Sequence, residues 1–170
     1  MFVFPSLKIL ALTALIPLIL GFIWYNPRVF GKPWMRASGI TEESMKGANM
    51  ILIFALTYVF GFFLSIALFF AVVHQSHVYS MVAFLPDTTL NDPTTQVNHD
   101  VTYWMAQYGH HYRTFKHGAF HGTLFGFLAV LPIVAVNAMF ERKSFVYIAI
   151  NAGFWIVNCI IMGAILCHFS

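Results

Sequence analysis

The chain has 170 residues, 59% of them apolar and only 9% charged, with a mean hydropathy of +0.76. A water-soluble domain carries about a quarter charged residues, so this composition excludes a soluble globule and requires a surface that faces the lipid bilayer. The net charge of +3 is small and no basic tract accompanies it, which excludes nucleic acid as a partner. The expected fold is all-α, an integral membrane four-helix bundle forming a single transmembrane domain over 1–170.

The first expected span runs over 7–26. The apolar run of "MFVFPSLKILALTALIPLILGFIWY" is too long for a signal peptide, and no Ala-x-Ala site follows it, so it reads as a retained helix. Pro17 should kink it. The loop after it carries Trp24, Tyr25, Phe30 and Trp34 among Arg28, Lys32 and Arg36. Aromatic and basic residues mixed in this way suit the headgroup region, or a surface that docks anionic lipid or a protein partner. Thr41, followed by Glu42 and Glu43, is expected to start the second span, which covers 49–73.

A long loop, 74–118, separates the second span from the third. Its segment "LPDTTLNDPTTQVNHD" is turn-rich and reads as a connector, whereas "QVNHDVTYWMAQYGHHYRTF" reads as an interfacial helix leading into the third span. The third span is expected over 119–139, with Pro132 inside it. A tight hairpin at 141–144 forces it antiparallel to the fourth, 145–167. Cys159 and Cys167 fall eight positions apart in that last helix, about 12 Å along its axis, too far for a mutual disulfide.

The basic residues divide six to three. Arg28, Lys32, Arg36, Lys46, Arg142 and Lys143 lie in the two shorter loops, and Lys8, Arg113 and Lys116 on the opposite side. By the positive-inside rule the two shorter loops are cytoplasmic, and the termini and the long loop lie outside. All eight histidines fall on that outer side or just beneath it, together with Asp87, Asp92 and Asp100.

The stretch "HGAFHGTLFG" at the start of the third span overlays two patterns. His117 and His121 stand four apart, which puts two imidazoles on one helical stripe. His74-x-x-His77 would add two more if the second helix continued past the membrane edge, and His110-His111 lies between them in sequence. These six histidines are the candidate metal ligands, for Zn or Cu. A b-type haem between His121 and either His74 or His168 is the alternative cofactor. Against a metal stands the ease with which histidine sits at a membrane interface, bonding headgroups, carbonyls or water. The boxes of a di-iron desaturase do not match, since no His-x-x-His-His occurs, and no His-Glu-x-x-His supports a peptidase. No catalytic residue is singled out.

Gly118, Gly122 and Gly126 form the second pattern, two overlapping small-x-x-x-small units that let helices approach closely in lipid, within the chain or across a dimer. Asn137, Asn151 and Asn158 are the polar residues expected to bond between the third and fourth helices. With no intramembrane carboxylate, a proton- or sodium-coupled transporter gains no support.

"GFIWYNPRVFGKPWM" resembles the Gly…Trp-Tyr-x-Pro…Phe-Gly-x-x-Trp signature of a bacterial membrane family, domain-of-unknown-function family 1761. "HGTLFGFLAVLPIVAVNAMFERKSFVYIAINAGFWIVNCIIMGAIL" is similar to its paired closing helices, through the glycine-spaced helix, the Asn137-to-Glu141 turn, Asn151-Ala-Gly and Met162-Gly163. The resemblance implies a small four-helix protein of the bacterial inner membrane and carries no activity. The leading expectation is therefore a non-enzymatic accessory or structural subunit, in a homo-oligomer or with other membrane subunits. The alternative is a metal-binding membrane protein, for metal handling or redox, built on the histidines.

Overall fold

A computed structural model of the chain describes residues 6–82 and 92–170, and among them there is no strand. Four helical spans have the length and composition to cross a membrane: Leu7–Trp24, Met50–Val72, Phe115–Phe140 and Phe145–Phe169. Asp87 and much of the expected connector lie outside the described residues.

The first span is two helices, α1 (Leu7–Thr13) and α2 (Ile16–Trp24). Pro17 sits in the first turn of α2, where its missing N–H costs nothing, but its ring would strike the Thr13 carbonyl in a continuous helix. The chain breaks at Ala14 and Leu15 instead. Two short helices follow, α3 (Gly31–Ser38) and α4 (Glu42–Met45). Thr41 does cap a helix, yet that helix is α4, only four residues long. The second span, α5 (Met50–Val72), is capped separately by Asn49, whose side chain accepts from the Leu52 N–H.

After α5 come α6 (Gln75–Val82) and α7 (Gln96–Tyr108), the latter matching the helix expected in the long loop. The third span begins at Phe115, four residues earlier than expected. It comprises α8 (Phe115–Phe125), a π-helical turn (Gly126–Val130) and α9 (Leu131–Phe140). Pro132 explains the π turn, because the ring cannot sit against the carbonyl four residues back in a regular α-helix. The backbone widens so that the Leu131 N–H reaches the Gly126 carbonyl. Arg142, at φ 56, then closes α9 in a Schellman arrangement, with Lys143 N–H on the Ala138 carbonyl and Arg142 N–H on that of Met139. That turn sends the fourth span, α10 (Phe145–Phe169), back antiparallel.

The bundle is arranged for lipid. Thr13, Ser65 and Asn158 are buried, while Ile51, Phe140 and Phe145 are more than 80% exposed. Each buried hydroxyl answers its own helix, Thr13 on the Ile9 carbonyl and Ser65 on that of Gly61. Around α10 lies the apolar core of Leu10, Leu68, Phe69, Val72, Val73, Met162 and Leu166, with both cysteines, free and buried, among them.

The glycine seam closes inside the chain. A Cβ on Gly118 would run into the Gly163 carbonyl and Cys167, and one on Gly122 into the Cys159 carbonyl, so α8 and α10 touch backbone to backbone. A Cβ on Gly126 would meet Ile156 at 3.0 Å, tighter than an ordinary contact, so the close approach continues there. Assembly with a second copy or another subunit would thus have to use other surfaces. The asparagines do not bond between the third and fourth helices as expected. Asn158 donates to the Phe154 carbonyl and Asn151 to that of Tyr147, both on α10, while Asn137 is exposed. A short amide side chain can share the carbonyl one turn back in its own helix, and does so here rather than reach a neighbouring helix.

Candidate metal centre at the histidine end of the bundle

The ends of α5 and α10 and the start of α8 meet at one end of the bundle. The hydroxyl of Thr114 caps α8 by accepting the His117 N–H at 3.2 Å. This cap holds His117 in the first turn and His121 one turn later, on one stripe. Behind that stripe runs the glycine seam, so the rings border the contact without entering it.

His74 comes from the opposite side. Helix α5 stops at Val73, whose backbone is extended, and Ser76 steadies the turn by donating its hydroxyl to the Val73 carbonyl at 2.6 Å. His74 is thereby set into the link between α5 and α6, facing α8. Its Nε2 lies 3.0 Å from His117 Nε2 and 3.3 Å from His121 Nε2. One ligating atom from each ring falls within 4.8 Å of the other two.

These distances decide what the cluster can do. A neutral imidazole nitrogen carries either one hydrogen or one lone pair in the ring plane, so His74 Nε2 makes one good hydrogen bond and not two. Three lone pairs directed at one ion satisfy all three nitrogens. Zn–N bonds of about 2.0–2.1 Å in a tetrahedron separate the nitrogens by about 3.3 Å, close to the spacing found. A haem does not fit between His74 and His121, because nitrogens at 3.3 Å leave no room for an iron with an imidazole on each face.

Electrostatics act in the same sense. Burial, and then the neighbouring His117 and His77, hold the His74 imidazole below its ordinary value of 6.5, favouring the neutral, ligating form. Tyr112 stacks on the His117 ring, with centroids 5.1 Å apart and planes at 28°. Its backbone is left-handed, at φ 62, a conformation that costs a non-glycine residue about 1 kcal/mol or more. Contacts on either side hold it there: the Tyr112 carbonyl accepts from the Thr114 N–H and from Cys167 Sγ. Arg113 Nε donates to the Cys167 carbonyl at 3.0 Å, closing the C-terminal end of α10 with a cation.

Of the six expected ligands, the structure brings together His74, His117 and His121. His77, in α6, is near enough to His74 to act on its charge but stays outside the cluster, because α5 ends at Val72 and the shared stripe expected for His74 and His77 does not form. His110 and His111 follow the end of α7. His111 packs its ring against Tyr108 and Tyr112, and His110 borders a separate cavity with Arg113 and His168. Tyr112, Thr114 and Gln75 belong to the site and were not singled out from the sequence. Thr114-x-x-His117 has the spacing of a helix cap and is the signal that could have placed the start of α8 at Phe115. Gln75 is buried, and its Nε2 donates to the carbonyls of Tyr108 and His111, at 3.1 and 2.9 Å, pinning the end of α7 beside the histidines.

The aromatic first loop lies at the other end and is engaged with α10. Trp24 Nε1 donates to the Ile150 carbonyl at 3.1 Å, and the Tyr25 hydroxyl to Asn151 Oδ1 at 3.1 Å, while Lys143 Nζ reaches the Ser38 carbonyl. Trp34 packs edge-on against Tyr25 and Phe30 against Trp24. Burial pushes the Tyr25 hydroxyl up to about 12, so it remains a donor. Gly31 is needed there because a Cβ would strike the carbonyls of Tyr25 and Asn26. Arg28, Lys32 and Arg36 stay exposed.

Comparison with curated proteins and with solved structures finds no match. The family model described as "Protein of unknown function (DUF1761)" matches residues 9–167, which include the Trp-Tyr-x-Pro loop, the histidine end and both closing helices. The chain is therefore a four-span helical membrane protein that belongs to the DUF1761 family.

Proposed function

We propose that this protein binds a zinc-class divalent ion at the membrane edge through His74, His117 and His121. The observation that carries the reading is that one ring nitrogen, His74 Nε2, stands within 3.3 Å of two others, an arrangement that an ion satisfies and hydrogen bonds alone do not. Imidazole donors with no thiolate in the set suit Zn(II) or Cu(II). Three protein ligands leave a tetrahedral ion one open position, the pattern of sites that exchange a ligand with their surroundings. The reading is of a metal-handling or Lewis-acid protein of the bacterial inner membrane. The loop-charge bias supports an orientation with the histidine end outside.

The test is equilibrium dialysis of the full-length protein in detergent against Zn(II), followed by elemental analysis. One ion per chain is expected. His121→Ala and His74→Ala should each weaken binding by more than the ~10–100-fold that follows loss of a ligand's supporting partner, and His77→Ala should leave it unchanged. Absence of a stoichiometric ion, or equal losses for His77→Ala and His121→Ala, overturns the reading.

A further inference from the structure

Beside the three histidines lies an open cavity of about 460 Å³ that shares His74 and Tyr112 with the metal centre. Val78, Trp104, Met105 and Tyr108 form its apolar walls. Its volume falls in the range of small-molecule sites. Gln75 holds the wall in place, donating to the Tyr108 carbonyl at the end of α7 and to the His111 carbonyl in the turn after it. Trp104 and Tyr108 are 44% and 55% exposed, presenting aromatic surface that no other part of the described chain covers.

The charges of the two neighbours specify the occupant. Three neutral imidazoles leave the full double charge of a zinc-class ion uncompensated. Among the described residues no carboxylate belongs to the cluster or lines the cavity. The open position therefore favours an anionic oxygen donor, and the walls favour an apolar or aromatic body attached to it. Resting on the metal reading above, we infer that the centre takes a carboxylate-headed amphiphile as its fourth ligand. The carboxylate binds the ion and the body lies against Trp104, Met105 and Tyr108. A site at the membrane edge receives such a molecule from the bilayer interface, where amphiphiles of this kind collect.

The experiment loads the full-length protein in detergent with Co(II) and follows its visible bands while phenylpropionate, acetate or phenylpropylamine is added. Phenylpropionate should perturb the bands at roughly tenfold or more lower concentration than acetate, given the apolar surface its ring buries. Phenylpropylamine, with the same body and a cationic head, should leave them unchanged. Trp104→Ala should erase the preference over acetate at unchanged cobalt affinity. Val78→Trp, which fills the cavity from α6, should block phenylpropionate and still admit acetate. Bound cobalt with equal responses to the two carboxylates, a response to the amine, or a preference that survives both substitutions overturns this inference and leaves the metal reading standing. Failure of the wild-type protein to bind cobalt removes the metal reading, and this inference with it.

Discussion

The two ends of the bundle are built from the same helices and treat their polar groups in opposite ways. At the end holding the first loop, each of the principal side-chain donors meets an acceptor in the chain: Trp24 on Ile150, Tyr25 on Asn151, Lys143 on Ser38. At the histidine end, three ring nitrogens crowd together so that, whichever tautomers they take, hydrogen bonds among them cannot satisfy all three. Saturated polar groups hold a fold together. Unsaturated ones directed at a common point leave work for something from outside the chain. The difference separates structure from site more reliably than residue type, since both ends are rich in aromatic rings.

The largest expected effect is on the seam that supports the histidine end. Gly122→Leu would drive a side chain into the Cys159 carbonyl. It should cost about 1–3 kcal/mol or more in thermal unfolding in detergent and take zinc binding with it, because α8 could no longer hold His121 in place. Intact zinc binding in that variant would separate the site from the seam and break the comparison.

Acid comes next. Because the His74 imidazole is held below 6.5, the folded chain binds fewer protons than the unfolded chain over that interval. Its contribution to stability is present above pH 6.5 and is lost as the pH falls through the lowered value. Zinc binding moves in the same direction, since only the neutral ring ligates. Zinc retained per chain, measured after dialysis, should be full at pH ~7.5 and lost at pH ~5. Retention unchanged across that range would contradict histidine ligation.

A smaller effect belongs to the other end. Tyr25→Phe removes one hydrogen bond to Asn151 and should cost about 1 kcal/mol in unfolding, with zinc stoichiometry unchanged. Loss of zinc there would mean that the two ends are coupled. The smallest effect is expected for His110→Ala, whose ring lies outside the cluster: zinc affinity should stay within about twofold of wild type, a difference worth less than 0.5 kcal/mol.

Much of the architecture was legible from local pattern. Four apolar runs, two prolines and the 141–144 hairpin prescribe four spans with breaks near Pro17 and Pro132, because span length and the proline ring act within a few residues. The glycine spacing at 118, 122 and 126 likewise foretold a seam. It did not foretell the seam's partner, nor the second close approach of Gly61 to the Ala14 carbonyl, a contact between spans far apart in sequence. Thr41 misled because capping chemistry is local and does not specify how long the capped helix continues.

The candidate site divides along the same line. That His117 and His121 share a stripe follows from their spacing, since four residues make about one helical turn, and the span topology puts all eight histidines on one side. Which other histidine joins them depends on how the spans pack. The stop at Val73 sends His74 toward α8 and leaves His77 behind, and the turn after α7 keeps His110 and His111 out of the cluster. Those outcomes depend on where a helix ends and on how closely two backbones approach across the glycine seam. Both are settled by packing between residues thirty or more positions apart, which no local pattern encodes.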